Sequence, residues 1–186
     1  MPTVLAILAD GFEEIEATTP IDLLRRAGVE VTVAALGGDR AVTGRSGITL
    51  LADTTLDVVL SAPSHLSPSL FDCLFFPGGP GVKLLRADPR IRHVISAHAQ
   101  AERWIAAICA APTLLHDAGL LVNRRYTAHP SVAGELPAIQ ANERTVSDGR
   151  LLTSRGAGTS LDFGLLLIEK LVSLPAAQSV ARAICA

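Results

Sequence analysis

Trp104-Ile105-Ala106-Ala107-Ile108-Cys109-Ala110-Ala111-Pro112 is an apolar run that stops at a cysteine and passes through small residues into proline. A short apolar run bounded in this way reads as a buried strand. Pro112 suits the first turn of a helix, where its missing N–H has no partner to lose. So abrupt a passage from strand to helix exposes its central side chain only where the neighbours are small, and Ala107, Ala110 and Ala111 meet that need. Cys109 therefore reads as a nucleophile on a sharp turn, with the helix N-terminus expected to draw its pKa below the usual value of about 8.5. The competing reading is a small buried hydrophobe at a strand end.

Working outward, short apolar runs alternate with helix-length segments, as in a mostly parallel sheet covered on both faces. Strands are expected at Val4–Leu8, Val31–Ala35, Leu74–Phe76, Trp104–Ile108 and Leu151–Thr153, with an antiparallel excursion through Val42–Leu51. Helices are expected over Glu13–Ala27, Pro89–Gln100, Ala111–Ala118, Ser160–Leu171 and Ala176–Ala183, the first kinked or split at Pro20. Ser61–Ser69, rich in Ser and Pro, reads as a surface loop.

The totals narrow the function. A chain of 186 residues makes one domain, 1–186, with a core that needs no disulfide or structural metal. A net charge of -2 with scattered basic residues points away from nucleic acid and anionic membranes. No basic leader precedes Val4–Leu8, and the longest apolar stretch, Leu161 to Val172, carries three charges, so a soluble, cytoplasmic protein is expected. Three widely spaced cysteines without a CxxC pair argue against disulfides and zinc, and neither metal nor cofactor is expected. Cys73 reads as core filler, and Cys185 as an exposed thiol near the C-terminus.

In open α/β sheets, ligands gather outside the carboxyl ends of the strands, where four distinctive patches fall. Asp10-Gly11-Phe12-Glu13-Glu14-Ile15-Glu16 follows the first strand. Glu13 and Glu14 read as end charges of a helix, whereas Glu16 can point back toward Cys109, its pKa raised if it is desolvated there. Phe76-Pro77-Gly78-Gly79-Pro80-Gly81 reads equally as a plain turn or as a loop whose Gly79 N–H forms an oxyanion hole with that of Ala110. Thr153 to Ser160 contains Gly156 and Gly158, which either line the same pocket or form a turn capped by Ser160. His129, held extended by Pro130, is a candidate proton carrier. His65, His93, His98 and His116 read as surface residues.

Together and in this order, Gly11 to Glu16, Pro77-Gly78-Gly79, Ala106 to Pro112, Ala128-His129-Pro130 and Leu152 to Ser160 resemble the motifs of the ThiJ/PfpI superfamily. The resemblance is strongest to its DJ branch, that of the parkinsonism-associated protein deglycase and its bacterial relatives. It implies a flavodoxin-like three-layer sandwich of the class I glutamine amidotransferase-like kind, and a homodimer. On that resemblance Cys109 is the nucleophile, Glu16 its protonated partner, His129 the proton carrier, and Gly78, Gly79, Ala110, Gly156 and Gly158 the pocket. Asp22 and Arg26 match positions at the dimer contact and the pocket rim.

Two departures narrow the activity. The protease-like branch has histidine directly after the nucleophile, where this chain has Ala110, and amidotransferases carry a His-x-Glu element that His129-Pro130-Ser131 lacks. The implied function is a glyoxalase or deglycase in which Cys109 adds to methylglyoxal or to an early adduct on a glycated protein or amino acid. The alternative is an oxidative-stress sensor or chaperone-like protein in which Cys109 is oxidised to sulfinate.

Overall fold

The computed structural model describes residues 1–61 and 70–186. Of the loop expected at Ser61–Ser69, residues 62–69, His65 among them, lie outside the described residues. The strands are β1 (Thr3–Leu8), β2 (Glu30–Ala35), β3 (Ala41–Thr43), β4 (Thr49–Leu51), β5 (Thr54–Thr55), β6 (Cys73–Phe76), β7 (Trp104–Ile108), β8 (Thr145–Asp148) and β9 (Leu151–Ser154). The helices are α1 (Glu14–Arg26), α2 (Leu56–Ser61), α3 (Val82–Ala87), α4 (Pro89–Gln100), α5 (Pro112–Asp117), α6 (Ser160–Leu171) and α7 (Leu174–Ala183).

Seven strands form the main sheet in the order β5-β2-β1-β6-β7-β9-β8, parallel throughout except where β8 runs antiparallel to β9 at one edge. Strand residues alternate between two cores, as the pleat requires. Val4, Ala6, Leu8, Ala106 and Ile108 pack with Leu24 of α1 and Phe163 and Leu167 of α6. Leu5, Ile7, Ile105 and Ala107 pack with Leu85 of α3, Ile91 of α4 and Leu114 of α5. Helices thus cover both faces of the sheet. The excursion through Val42–Leu51 is a separate hairpin of β3 and β4.

The split expected at Pro20 from its missing donor does not occur, for α1 runs unbroken from Glu14 to Arg26. Its ring region packs against α6, where a Cβ on Gly164 would sit 3.2 Å from the Pro20 Cα and 2.5 Å from Leu23 Cδ1. Tertiary packing of that buried face outweighs one missing backbone bond. His98 is also a correction, for it is buried rather than on the surface, with Nδ1 2.9 Å from the Val94 carbonyl oxygen and its pKa lowered by that burial.

The chain leaves β1 to pair with β2 on one side and later returns to place β6 on the other. The carboxyl ends of β1 and β6 therefore flank the crevice where parallel sheets of this kind bind ligands. The segments after β1, β6 and β7 meet at that end.

Candidate functional site

Cys109 directly follows β7 with φ at +66°, the left-handed region that side chains with a Cβ avoid. The turn is held on both sides. The Cys109 N–H donates to the Ser154 carbonyl and the His129 N–H donates to the Cys109 carbonyl, each at 2.9 Å. The Ser154 hydroxyl in turn lies 2.7 Å from that of Thr159, which accepts from the Gly156 N–H at 3.1 Å. Thr159, rather than Ser160, therefore ties the glycine turn together, and the Ser160 hydroxyl is buried without a hydrogen-bond partner among the described residues. This bracing keeps a strained sulfur-bearing residue at the mouth of the crevice.

Glu16 is brought to the sulfur by α1. Glu13 caps the helix, its carboxylate accepting the Glu16 N–H at 2.8 Å, and Glu16 itself is almost wholly buried at 1 % exposure. One carboxyl oxygen accepts the Gly78 N–H at 2.9 Å. A Cβ on Gly78 would lie 2.5 Å from that oxygen, 2.6 Å from the Cys109 Cβ and 2.9 Å from the Ile108 carbonyl oxygen. Only glycine lets the β6 loop pass between carboxyl and thiol. Gly78→Ala is therefore expected to cost about 1–3 kcal/mol of stability and to slow alkylation of Cys109 at least tenfold, read by thermal unfolding and by iodoacetamide kinetics.

Burial pushes the Glu16 pKa up to about 7, against the partial relief given by the Cys109 thiol. Cys109, half-buried, is pushed up to about 12, first by burial and then by the Glu16 carboxylate, while the N–H groups of Gly79 and Ala110 pull it down. This corrects the expected lowering. The helix that follows has only six residues, and a weak dipole end cannot offset desolvation beside a carboxylate. The two groups form a dyad that releases its first proton near pH 7 and keeps its second to about pH 12. Between those values the negative charge rests on the carboxyl, which is placed to take the thiol proton as sulfur reacts, and two N–H groups face the sulfur. The Gly79 N–H and Ala110 N–H thus meet at one atom.

His129 has φ -68° and ψ 140°, the extended form expected before proline. Its Nδ1 accepts the Ser131 N–H at 3.2 Å, which leaves the ring proton of the neutral imidazole on Nε2. A Cβ on Gly156 would be 3.3 Å from His129 Cδ2 and 3.9 Å from Glu16 Oε1, so Gly156 stands between these two side chains. Gly158 is not brought to the site. It is exposed, and its carbonyl accepts from Arg144 at 2.8 Å. Asp22 and Arg26 pair with each other at 2.7 Å on the exposed face of α1. Arg26 lies about 15 Å along the axis from Glu16.

Glu14 is a further correction, since it is buried and does not merely charge a helix end. Burial alone would raise its pKa, but backbone N–H groups that include those of Ser46 and Ile48 hold it below the usual value, the Ser46 bond being 2.7 Å long. This anchor fixes the turn that carries Arg45, whose own N–H donates to the Phe12 carbonyl at 2.8 Å. Arg45 places a positive charge close enough to lower the Glu16 pKa. For Arg45 the sequence offered only its place beside Ser46, where relatives carry an arginine at the pocket rim, and for the contacts of Ser131 and Thr159 it offered no signal. Cys73 is fully buried, its pKa raised by that burial, whereas Cys185 is exposed. Among the described residues, no three His, Cys, Asp or Glu side chains gather as a metal ion would require.

A sequence profile of the DJ-1/PfpI family matches residues 2–170. The chain belongs to the DJ-1/PfpI family. Protein dj-1beta of Drosophila melanogaster, another DJ-1-type protein, is 36% identical over 97% of this chain and 95% of its own length. The glutathione-independent glyoxalase DJ-1 of Schizosaccharomyces pombe is 31% identical over 93% of each chain. The chain spans 38% of the longer protein DJ-1 homolog B of Arabidopsis thaliana. The solved structure of oxidized Toxoplasma gondii DJ-1 superposes with a TM-score of 0.90 at 32% identity, covering 100% of this chain and 98% of that one. The DJ-1/PfpI fold, flavodoxin-like and class I glutamine amidotransferase-like, is thus that of the chain. No helix of the described residues is long and apolar enough to cross a membrane.

Proposed function

We propose that this is a cofactor-independent glyoxalase or deglycase, acting in the cytoplasm on methylglyoxal or on early glycation adducts through Cys109. The observation that carries the reading is the meeting of one half-buried thiol, one buried carboxyl and two backbone N–H groups at a braced turn. The Glu16 carboxylate takes the thiol proton as sulfur adds to the aldehyde carbon, giving a hemithioacetal whose oxygen is received by the Gly79 and Ala110 N–H groups. The C1 proton is then moved to C2 through Glu16, with the His129 Nε2–H at the second carbonyl oxygen, leaving a thioester. Water hydrolyses it to lactate and restores the thiol, so methylglyoxal and water together balance the product. The name of the Schizosaccharomyces pombe relative supports this reaction class.

Incubation with methylglyoxal is expected to yield lactate at a rate that rises as pH passes through about 7. The dyad must lose one proton before sulfur can attack, and it does so there. Lactate no faster than with Cys109→Ser overturns the proposal and leaves oxidation of Cys109 to sulfinate as the reading served by the same geometry.

We also infer a homodimer across α1. Ile15 on that helix and Ile48 in the β3–β4 turn are 53% and 56% exposed, and Asp22 and Arg26 lie on the same helix. Sedimentation of the protein at micromolar concentration is expected to give twice the chain mass, and Ile15→Asp to shift it toward monomer.

A further inference from the structure

Trp104 begins β7 and Cys109 follows its last residue, so the two lie about 16 Å apart at opposite ends of the sheet. Around Trp104, the only tryptophan of the chain, the surface has two adjoining hollows of about 430 and 480 Å³. Glu102, Arg103, Trp104 and Arg150 line both, Lys170 lines one and Arg124 the other. Guanidinium and ammonium groups outnumber the carboxylates of Glu102 and Asp72 there, although the whole chain is slightly acidic.

Most of these cations are neutralised locally. Arg103 holds Asp72 at 2.8 Å, Arg124 holds Asp148 at 3.0 Å and Lys170 holds Glu169 at 2.8 Å. Arg150 differs. Its guanidinium lies over the Trp104 ring at 4.8 Å, and among the described residues it has no carboxylate partner. Stacking occupies the face of a guanidinium and leaves the N–H donors on its edge free to bind. Its backbone is pinned too, since the Arg150 carbonyl accepts the Ile105 N–H at 2.9 Å. A face-stacked guanidinium that lines the same hollow as a second one, at small-molecule size, suits the planar, multiply bonded recognition of an oxyanion.

We propose that this double hollow is a second binding site, separate from Cys109, for a small phosphate monoester held by Arg150 and Arg103. The free edge of Arg150 binds the phosphate oxygens, joined by the N–H donors of Arg103 that its single bond to Asp72 leaves over. The proposal is independent of the chemistry assigned to Cys109.

The single tryptophan makes the test direct. The full chain is titrated with glycerol 2-phosphate at pH 8, with ionic strength held constant by sodium chloride, while Trp104 emission and the heat of binding are followed. A saturable change with a midpoint in the millimolar range or below is expected, weakened at least tenfold by Arg150→Gln and by Arg103→Gln. Arg103→Gln leaves the stack on Trp104 in place, so it separates lost binding from a disturbed ring. An unsaturable response, one reproduced by sodium chloride alone, or binding heat that survives both substitutions overturns the proposal.

Discussion

At pH 8 the Glu16→Gln variant is expected to be more stable than the parent protein by roughly 3 kcal/mol. The folded chain keeps the Glu16 proton up to about pH 7, whereas in the unfolded chain the carboxyl ionises near its usual value of 4.5. Between those values the folded state binds more protons, so its stability is full below pH 4.5 and falls as pH rises toward 7. Above pH 7 the ionised carboxylate is buried at a standing cost. Glutamine keeps the shape and the acceptor for the Gly78 N–H but cannot ionise, so the cost disappears. Urea unfolding at pH 4.5, 6 and 8 checks this, and a variant whose stability tracks the parent at all three would sink it. The same substitution removes the carboxylate that raises the thiol, so Cys109 is expected to titrate at lower pH, read from thiolate absorbance near 240 nm. A stabilised protein with a more acidic thiol and slower chemistry is what a site that sacrifices stability for function would give.

The turn at Cys109 was legible because its requirements are local. A buried apolar run, small flanking residues and a proline specify strand, sharp turn and helix without reference to the rest of the chain. The central strands were legible for a similar reason, since burial on both faces makes them continuous apolar runs. Edge elements were not. β8 has one buried side chain, Val146, in Thr145–Asp148, and β5 has only two residues, so neither carries a periodic signal. α3 follows the glycines of the β6 loop with six residues, too few for a helical period to stand out.

Within the site, residue types were readable and their electrostatics were not. The sequence placed Glu16 one turn beyond Glu13, and the structure puts it against Cys109. The sign of the thiol shift, however, depends on how much water the fold removes, and burial beside a carboxylate outweighs a short helix dipole. Glu14 makes the same point from the other side. Its burial depends on a turn more than thirty residues away, at Ser46, which no local pattern ties to the start of α1.

Cys109→Ser is expected to lower lactate formation by about a thousandfold or more, to the uncatalysed background, while leaving the fold intact. The thiol titrates near 12 in the dyad, and the Glu16 carboxylate, with its pKa near 7, is ionised beside it to take its proton as sulfur adds. An alcohol is several orders of magnitude less acidic than a thiol and does not yield its proton to that carboxylate, so addition to the aldehyde carbon loses its nucleophile rather than merely its orientation. Serine is smaller but close in shape, and its hydroxyl finds the N–H groups of Gly79 and Ala110 that already face this position. Unfolding free energy is therefore expected to stay within about 1 kcal/mol of the parent. The left-handed backbone at residue 109 is unchanged by the swap, so its strain cancels in the comparison. Parallel measurement of lactate and of urea midpoints separates the two effects. Activity and stability falling together would mean that the sulfur is structural and that chemistry has been assigned to the wrong atom.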